Sequence, residues 1–418
     1  MPAKLLRSAV MTRASAVMAA LLISTLPLCA QWPEFRGPTG QGHSTERNLP
    51  LVWNETKNVA WKVPVAGRGW SSPVVADGRV WLTTAVSNRG TSLRALAFDA
   101  DTGRALADVE VFRMSRGDLL NAKNSHASPT PIVEGDRVYV HFGAEGTAAL
   151  TTAGDIVWKT RFPYESQHGN GGSPILYGDL LIFSCDGSND AFVVALDKRT
   201  GKVKWRTPRR QPFDQAYTTP LAIRVGDRDQ IVSIGAYRAG SYDPQSGKEI
   251  WRVSYADGFS NVPRPVYGHG LVYIATGFQQ PTLLAVRADG SGDVTKTHVA
   301  WTLRRGAPFT PSPLLVGDLL FVVNDAGIAQ CLDANTGEPY WIQRLGGEYS
   351  ASPVLADGRI YFLSESGMTT VVAPERVFRR LASNQIDGGT LASIAVANGS
   401  IFIRSESHLY RIAGNAGA

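Results

Sequence analysis

One element recurs eight times along this chain: an apolar stretch, a two-residue turn of Gly/Asp type, and a second apolar stretch. It reads PVVADGRVWL from Pro73, PIVEGDRVYV from Pro131, PILYGDLLIF from Pro174 and PLAIRVGDRDQIV from Pro220. It returns as PVYGHGLVYI from Pro265, PLLVGDLLFV from Pro313 and PVLADGRIYF from Pro353, and the eighth copy, IAVANGSIFI from Ile394, lacks the proline. Two-residue hairpin turns need φ > 0 at one or both central positions, because only such turns match the right-handed twist of paired strands. Gly, Asp and Asn tolerate that backbone. Each copy is therefore predicted to be an antiparallel hairpin, with its proline at a strand start, where a missing N–H costs little.

A second element follows most copies: an alternating strand, an Asp-x-x-Thr-Gly turn, and a strand carrying Trp. ALDKRTGKVKW, from Ala195 to Trp205, is the clearest; others run from Asp99 through Gly103, from Asp243 to Trp251 and from Asp333 to Trp341. Two hairpins in series make a four-stranded sheet too small to bury its own faces, and eight such sheets become stable when stacked around an axis. The predicted fold is all-β: a single eight-bladed β-propeller of four-stranded antiparallel blades over residues 31–418. Only three strands, near 391–397, 400–405 and 408–412, follow the last blade's start, while one orphan strand at 58–65 precedes the first blade. The N-terminal strand is thus expected to complete the eighth blade and close the ring, which removes exposed edges. The leading prolines are 43, 46, 45, 48 and 40 residues apart from Pro131 to Pro353, but 58 separate Pro73 from Pro131. The excess falls at 113–127, RMSRGDLLNAKNSHA.

Residues 1–30 read differently. Lys4, Arg7 and Arg13 precede an uncharged apolar run from Ala14 to Leu28, and Leu28-Cys29-Ala30 ends it. This is the pattern of a secretory signal peptide cleaved after Ala30, so the protein is expected in the periplasm or outside the cell. Lipidation at Cys29 is the minority alternative, because Leu28 is a poor small residue for a lipobox. The 42 Lys and Arg against 36 Asp and Glu give +6, and removing the first thirty residues leaves +3. No basic run interleaved with aromatics appears, which argues against a nucleic-acid partner. Cys185 and Cys331 make neither a disulfide framework nor a CxxC site.

The A-x-D-x-x-T-G-x-x-x-W pattern resembles the blade repeat of the pyrroloquinoline-quinone (PQQ)-like propellers across nearly all of residues 49–413. The opening Trp32-Pro33-Glu34-Phe35-Arg36-Gly37-Pro38 and Arg68-Gly69-Trp70-Ser71-Ser72-Pro73 are similar to exported bacterial PQQ-like repeat proteins. The resemblance implies one of two roles: quinoprotein alcohol and glucose dehydrogenases, or the non-enzymatic propeller lipoproteins of the outer-membrane barrel-assembly machinery. A dehydrogenase of that kind stacks PQQ between a Trp floor and two adjacent cysteines, beside Ca²⁺ and a catalytic Asp. Cys185 and Cys331 are 146 positions apart, and no position matches the catalytic Asp or the calcium ligands. The expected protein therefore binds without a cofactor; PQQ with calcium is the alternative. Cys185-Asp186-Gly187-Ser188-Asn189-Asp190 spaces oxygens as a calcium loop does, but it lacks the downstream Glu, and polar turn chemistry accounts for it.

The segments leading into the innermost strands should line the channel mouth. They carry Arg68, Trp70, Asn124, His126, His168, Asn170, Gln215, Tyr217, Asn261, Arg264, Phe309, Glu348 and Tyr349. Aromatic, His and amide groups in one ring suit a protein loop or a small polar ligand. The 113–127 insertion sets Arg113, Arg116, Lys123 and His126 against Asp118, which points to an acidic or carboxylate-bearing partner. A monomer is expected.

Overall fold

The computed structural model describes residues 31–88, 90–114 and 120–414. Eight antiparallel sheets follow one another in the order the repeats set. Blade 1 comprises Val74–Ala76, Arg79–Ser87, Thr91–Asp99 and Ala105–Met114. Blades 2 to 7 occupy 132–160, 175–208, 221–254, 266–303, 314–344 and 354–385. Blade 8 is built from Ala395–Ala397, Ser400–Arg404, His408–Ala413 and, as its outer strand, Val59–Pro64. That last strand pairs Trp61 with Arg411 and Val63 with Leu409, so the ring is closed by residues about 350 positions apart, as the strand count requires. Hairpin turns take the left-handed backbone that their sequences allow: φ is +48° at Asp77, +50° at Asp357 and +51° at Asn398.

The apolar core lies between neighbouring sheets. One cluster joins Phe362 and Val372 of blade 7 to Phe321 and Cys331 of blade 6, and others repeat this around the ring. In every blade the third and fourth strands are paired with a one-residue slip just before the position where Trp recurs. Such a bulge adds twist and re-aims the next side chain. Here it turns Trp toward the following blade. Trp61, Trp158, Trp205, Trp301 and Trp341 each donate their indole N–H to a backbone carbonyl at the corresponding turn of the next blade: Ala100, Lys198, Pro244, Ala334 and Glu375. Under Trp205 the turn glycine is obligatory, since a Cβ on Gly247 would sit 2.5 Å from the indole. Trp251 is the exception. Blade 5 replaces the short turn with a longer loop whose Gly292–Asp293 adds a parallel fifth strand to blade 4, and Trp251 bonds Gln230 Oε1 within its own blade.

A belt of hydroxyls closes the inner end of the blades. The residue before each leading proline is Ser or Thr in six of seven cases, and Ser393 holds that place in blade 8. Each backbone N–H there donates to the side-chain oxygen of the next blade: Ser72 to Thr130, Thr130 to Ser173, Ser173 to Thr219 and, past the seam, Arg264 to Ser312. Ser312 to Ser352, Ser352 to Ser393 and Ser393 to Ser72 complete it, at 2.9–3.2 Å. The seam is Arg264, which stands where a hydroxyl would. Its Nε donates instead to Pro220 O, and its Nη1 to Phe35 O and Glu34 Oε1.

Residues 31–53 run beneath the blades at the end opposite the mouth. Trp32 pairs with Val75, Pro33 O accepts from Val133 N, Gln41 Oε1 accepts from Tyr267 N, and Gly42 O accepts from Leu355 N. The segment thus touches blades 1, 2, 5 and 7 and plugs the channel from below. Gly40 lies flat on the Arg264 guanidinium, where a Cβ would approach to 2.6 Å. No helix among the described residues is long and apolar enough to cross a membrane. The first thirty residues, with the expected signal peptide and Cys29, lie outside the described residues.

Candidate functional site

The plug, the belt and the mouth segments enclose a cavity of about 660 Å³ on the propeller axis, within the usual range for a small-molecule site. Phe35 of the plug forms its floor and the belt residues Ser72, Thr130, Ser173, Ser312, Ser352 and Ser393 its lower wall. One side is aromatic. Phe259, Phe278 and Phe309 follow one another with ring centroids 5.6 and 6.1 Å apart, and Tyr237 extends the row from Phe259. Phe278 is 50% exposed, a large apolar face left open to the mouth.

The roof is the second half of the insertion between blades 1 and 2. Asn121 N and Asn124 Nδ2 both donate to His168 O, and Arg68 donates to Ala122 O. Lys123 Nζ reaches across the ring to Glu348 Oε2 and Glu365 Oε1, each at 2.9 Å. Ser350 Oγ donates to the same Glu365 oxygen at 2.6 Å. The two carboxylates hold the Lys123 ammonium charged, raising it above the ordinary lysine value, and Glu348 is lowered by its bond to Lys123.

Of the residues singled out from the sequence, Trp70, Asn124, His168, Tyr217 and Phe309 line the cavity. Arg68 and Glu348 stand at its rim and fasten the roof. His126, Asn170, Arg264 and Tyr349 are not among the lining residues. Arg264 is buried beneath the floor against Glu34, and Tyr349 is buried between blades 6 and 7. Gln215 and Asn261 are buried ties, Gln215 Nε2 to Glu165 O and Asn261 Nδ2 to Gly235 O. Phe35, Phe259, Phe278 and Asp325 escaped the sequence reading. The plug that carries Phe35 has no repeat to place it, and the other three sit in loops between strands. The belt was legible in principle, as the Ser or Thr before each proline.

The charge of the insertion differs from the sequence expectation. Arg113 ends the outer strand of blade 1 and pairs with Glu110; Arg116 and Asp118 lie outside the described residues. Lys123 is committed to two acids. The remaining charged lining residue is Asp325, whose Oδ2 accepts the N–H groups of Phe309 and Thr310. Deeper down, Arg36 donates to Gln41 O and Pro313 O, and burial pushes its guanidinium down to about 9.

A calcium–quinone centre needs paired cysteines and converging oxygen ligands. Cys185 and Cys331 are buried, unpaired and in blades 3 and 6. Among the described residues no three His, Cys, Asp or Glu side chains converge. The lining amides are occupied: Asn124 Oδ1 accepts from Ser125 N and Ser128 Oγ, and Asn121 Oδ1 from Lys123 N. This donor set does not fit that centre. The 185–190 segment is no calcium loop either. Asp186 is buried 2.6 Å from Arg209 Nε, with its carboxyl raised to about 6 by burial, while Asp190 turns to Arg206.

Blade number and strand order define an eight-bladed β-propeller, and the family model and curated relatives that it matches make it a PQQ-like propeller of the quinoprotein superfamily. More narrowly, the chain belongs to the family whose model is described as outer membrane protein assembly factor BamB, matched over residues 43–161, 115–238 and 292–401. It is similar to a lanthanide-dependent methanol dehydrogenase of Methylorubrum extorquens, 26% identical over 45% of this chain and 34% of that protein. It is also similar to the outer membrane protein assembly factor BamB of Burkholderia pseudomallei, 28% identical over 40% of this chain and 41% of that protein. The chain therefore spans less than half the length of these curated relatives. A europium-containing methanol dehydrogenase superposes with a TM-score of 0.67 at 11% identity, covering 91% of this chain and 90% of that one; at that identity the likeness is one of fold.

Proposed function

We propose that this protein is an exported, non-catalytic binding propeller, a monomeric scaffold that takes a small polar ligand or a segment of a partner protein in its axial cavity. The observation that carries this reading is the roofed cavity itself, with an open aromatic wall and polar groups committed to the protein's own backbone. Tyr217 OH donates to Gln167 O, and Asp325 holds two backbone N–H groups, so both are engaged by the protein's own backbone. The similarity to an outer membrane assembly factor supports a scaffold and an envelope location.

A photo-crosslinking residue placed at Phe278, and in a control at the outer-edge Val203, tests this in living cells. Adducts at 278 and none at 203 are the expected result; equal labelling at both positions overturns the reading. The methanol dehydrogenase similarity favours a second reading, a quinone-dependent oxidoreductase. Dye-linked alcohol oxidation by the purified protein with PQQ and Ca²⁺ or a lanthanide would establish it, and no turnover is expected.

A further inference from the structure

Two carboxylates facing one ammonium at the rim of an aromatic cavity form an arrangement with a chemical preference. Glu348 and Glu365 share Lys123, so these three groups together carry one negative charge, and Asp325 adds a second in the cavity wall; the rim cation Arg68 is tied to Ala122 O. An anion entering here meets carboxylates, while the lining's charged donor is already engaged. The guanidinium groups below the floor are turned away, Arg264 to Glu34 and Phe35 O, Arg36 to Gln41 and Pro313 carbonyls. A cation meets the opposite conditions. Ring faces attract cations through their quadrupole, and the row Phe259–Phe278–Phe309 and Trp70 all line the same cavity.

Resting on the binding reading above, we propose that the axial cavity takes an organic ammonium compound with an apolar or aromatic body. Its cationic group displaces the Lys123 ammonium from the Glu348–Glu365 pair. Lys123 is then an internal surrogate for the ligand's charge, and the 120–124 strap holds the mouth shut until that exchange occurs. Both partners of the exchange are accessible: the side chains of Lys123 and Glu348 are 46% and 65% exposed, that of Glu365 16%. The strap's other ties are single hydrogen bonds at Ala122, Asn121 and Asn124, so releasing Lys123 frees its tip without disturbing a blade.

The test uses three probes of one size, phenethylammonium, 2-phenylethanol and phenylacetate, followed by calorimetry and ligand-observed NMR at millimolar concentration. They are offered to the wild-type protein, Lys123→Met, Glu365→Gln and Trp70→Ala. Removing the competing ammonium should tighten phenethylammonium by about tenfold, because the closed state no longer lowers the apparent affinity. Glu365→Gln should weaken it by about tenfold, the worth of one charge-assisted hydrogen bond, and phenylacetate should not bind. If the alcohol or phenylacetate binds as well as the ammonium and Trp70→Ala abolishes it, the charge preference is wrong while the cavity remains a binding site. If Lys123→Met weakens the ammonium, the exchange is wrong. If no probe binds the wild-type protein or Lys123→Met, both the inference and the cavity-binding reading fall.

Discussion

His141 is buried with its Nδ1 against Thr147 Oγ1 and its ring 4.5 Å from that of Phe183. Burial pushes its imidazole from 6.5 down to about 3. It is neutral in the folded protein, whereas the unfolded chain takes up a proton near the ordinary value. Between those limits the unfolded state binds more protons, so this contribution is complete above pH 6.5 and is lost as pH falls toward 3. At pH 5 the loss is about 2 kcal/mol. Asp186, raised to about 6 by burial, acts in the opposite sense between its ordinary value and 6, and only a comparison of variants separates the two. Urea denaturation at pH 7 and pH 5 should show the wild type losing more stability on acidification than His141→Gln does. Identical pH effects would mean that His141 is protonated without strain in the folded state.

At the scale of the elements, the Trp residues of the fourth strands tie blade to blade, and their burial is unequal. Trp251 is fully buried and Trp205 is 7% exposed, whereas Trp341 is half-buried. Uniform spacing in the sequence predicts equal roles. The structure ranks them: Trp251→Ala and Trp205→Ala should each cost about 3–5 kcal/mol, and Trp341→Ala less. Denaturant midpoints of the three variants measure this, and a Trp341→Ala loss as large as that of Trp251→Ala would contradict it. The hydroxyl belt gives a second test. Thr130→Val keeps the side chain's shape but leaves Ser72 N–H, which is buried, without its acceptor. An orphaned buried donor costs about 1–3 kcal/mol. A Val variant as stable as the wild type would show that the belt bonds exchange freely with water.

For the whole molecule, residues 31–66 supply both the floor of the cavity and the outer strand of blade 8. Trp32, Leu49, Trp53 and Val65 are buried within the blade 7–8–1 core, each worth about 1.5–3 kcal/mol. A few such residues equal much of a domain's net stability, about 5–15 kcal/mol. Deleting 31–66 should therefore broaden or abolish the cooperative thermal transition and expose apolar surface to dye. An unchanged melt would mean that the ring closes without this segment.

The blade count and the closing strand were legible in the sequence because both rest on local physics repeated many times. Each hairpin is set by Gly, Asp or Asn in a two-residue turn and by alternating apolar positions, and eight repetitions leave only the ring as a way to bury both faces of every sheet. The unpaired strand before blade 1 and the three strands after Ile394 made the closure a matter of counting. The Trp residues were visible too, though not that Trp251 would turn inward where blade 5 lengthens its turn. The cavity was only half legible. Trp70, Asn124, His168, Tyr217 and Phe309 follow from their place before an inner strand, since the repeat fixes which end of a blade faces the axis. Phe278 and Asp325 could not be found that way, because they sit in the loops between the second and third strands of blades 5 and 6 and not before an inner strand. Nor could the partners of Lys123: residues 123, 348 and 365 are brought together only by closing the circle, and a charge pattern read along the chain counts Lys123 as free. Strand, turn and blade come from neighbours in sequence. The floor, the roof and the charge of the site come from residues joined only by the tertiary fold.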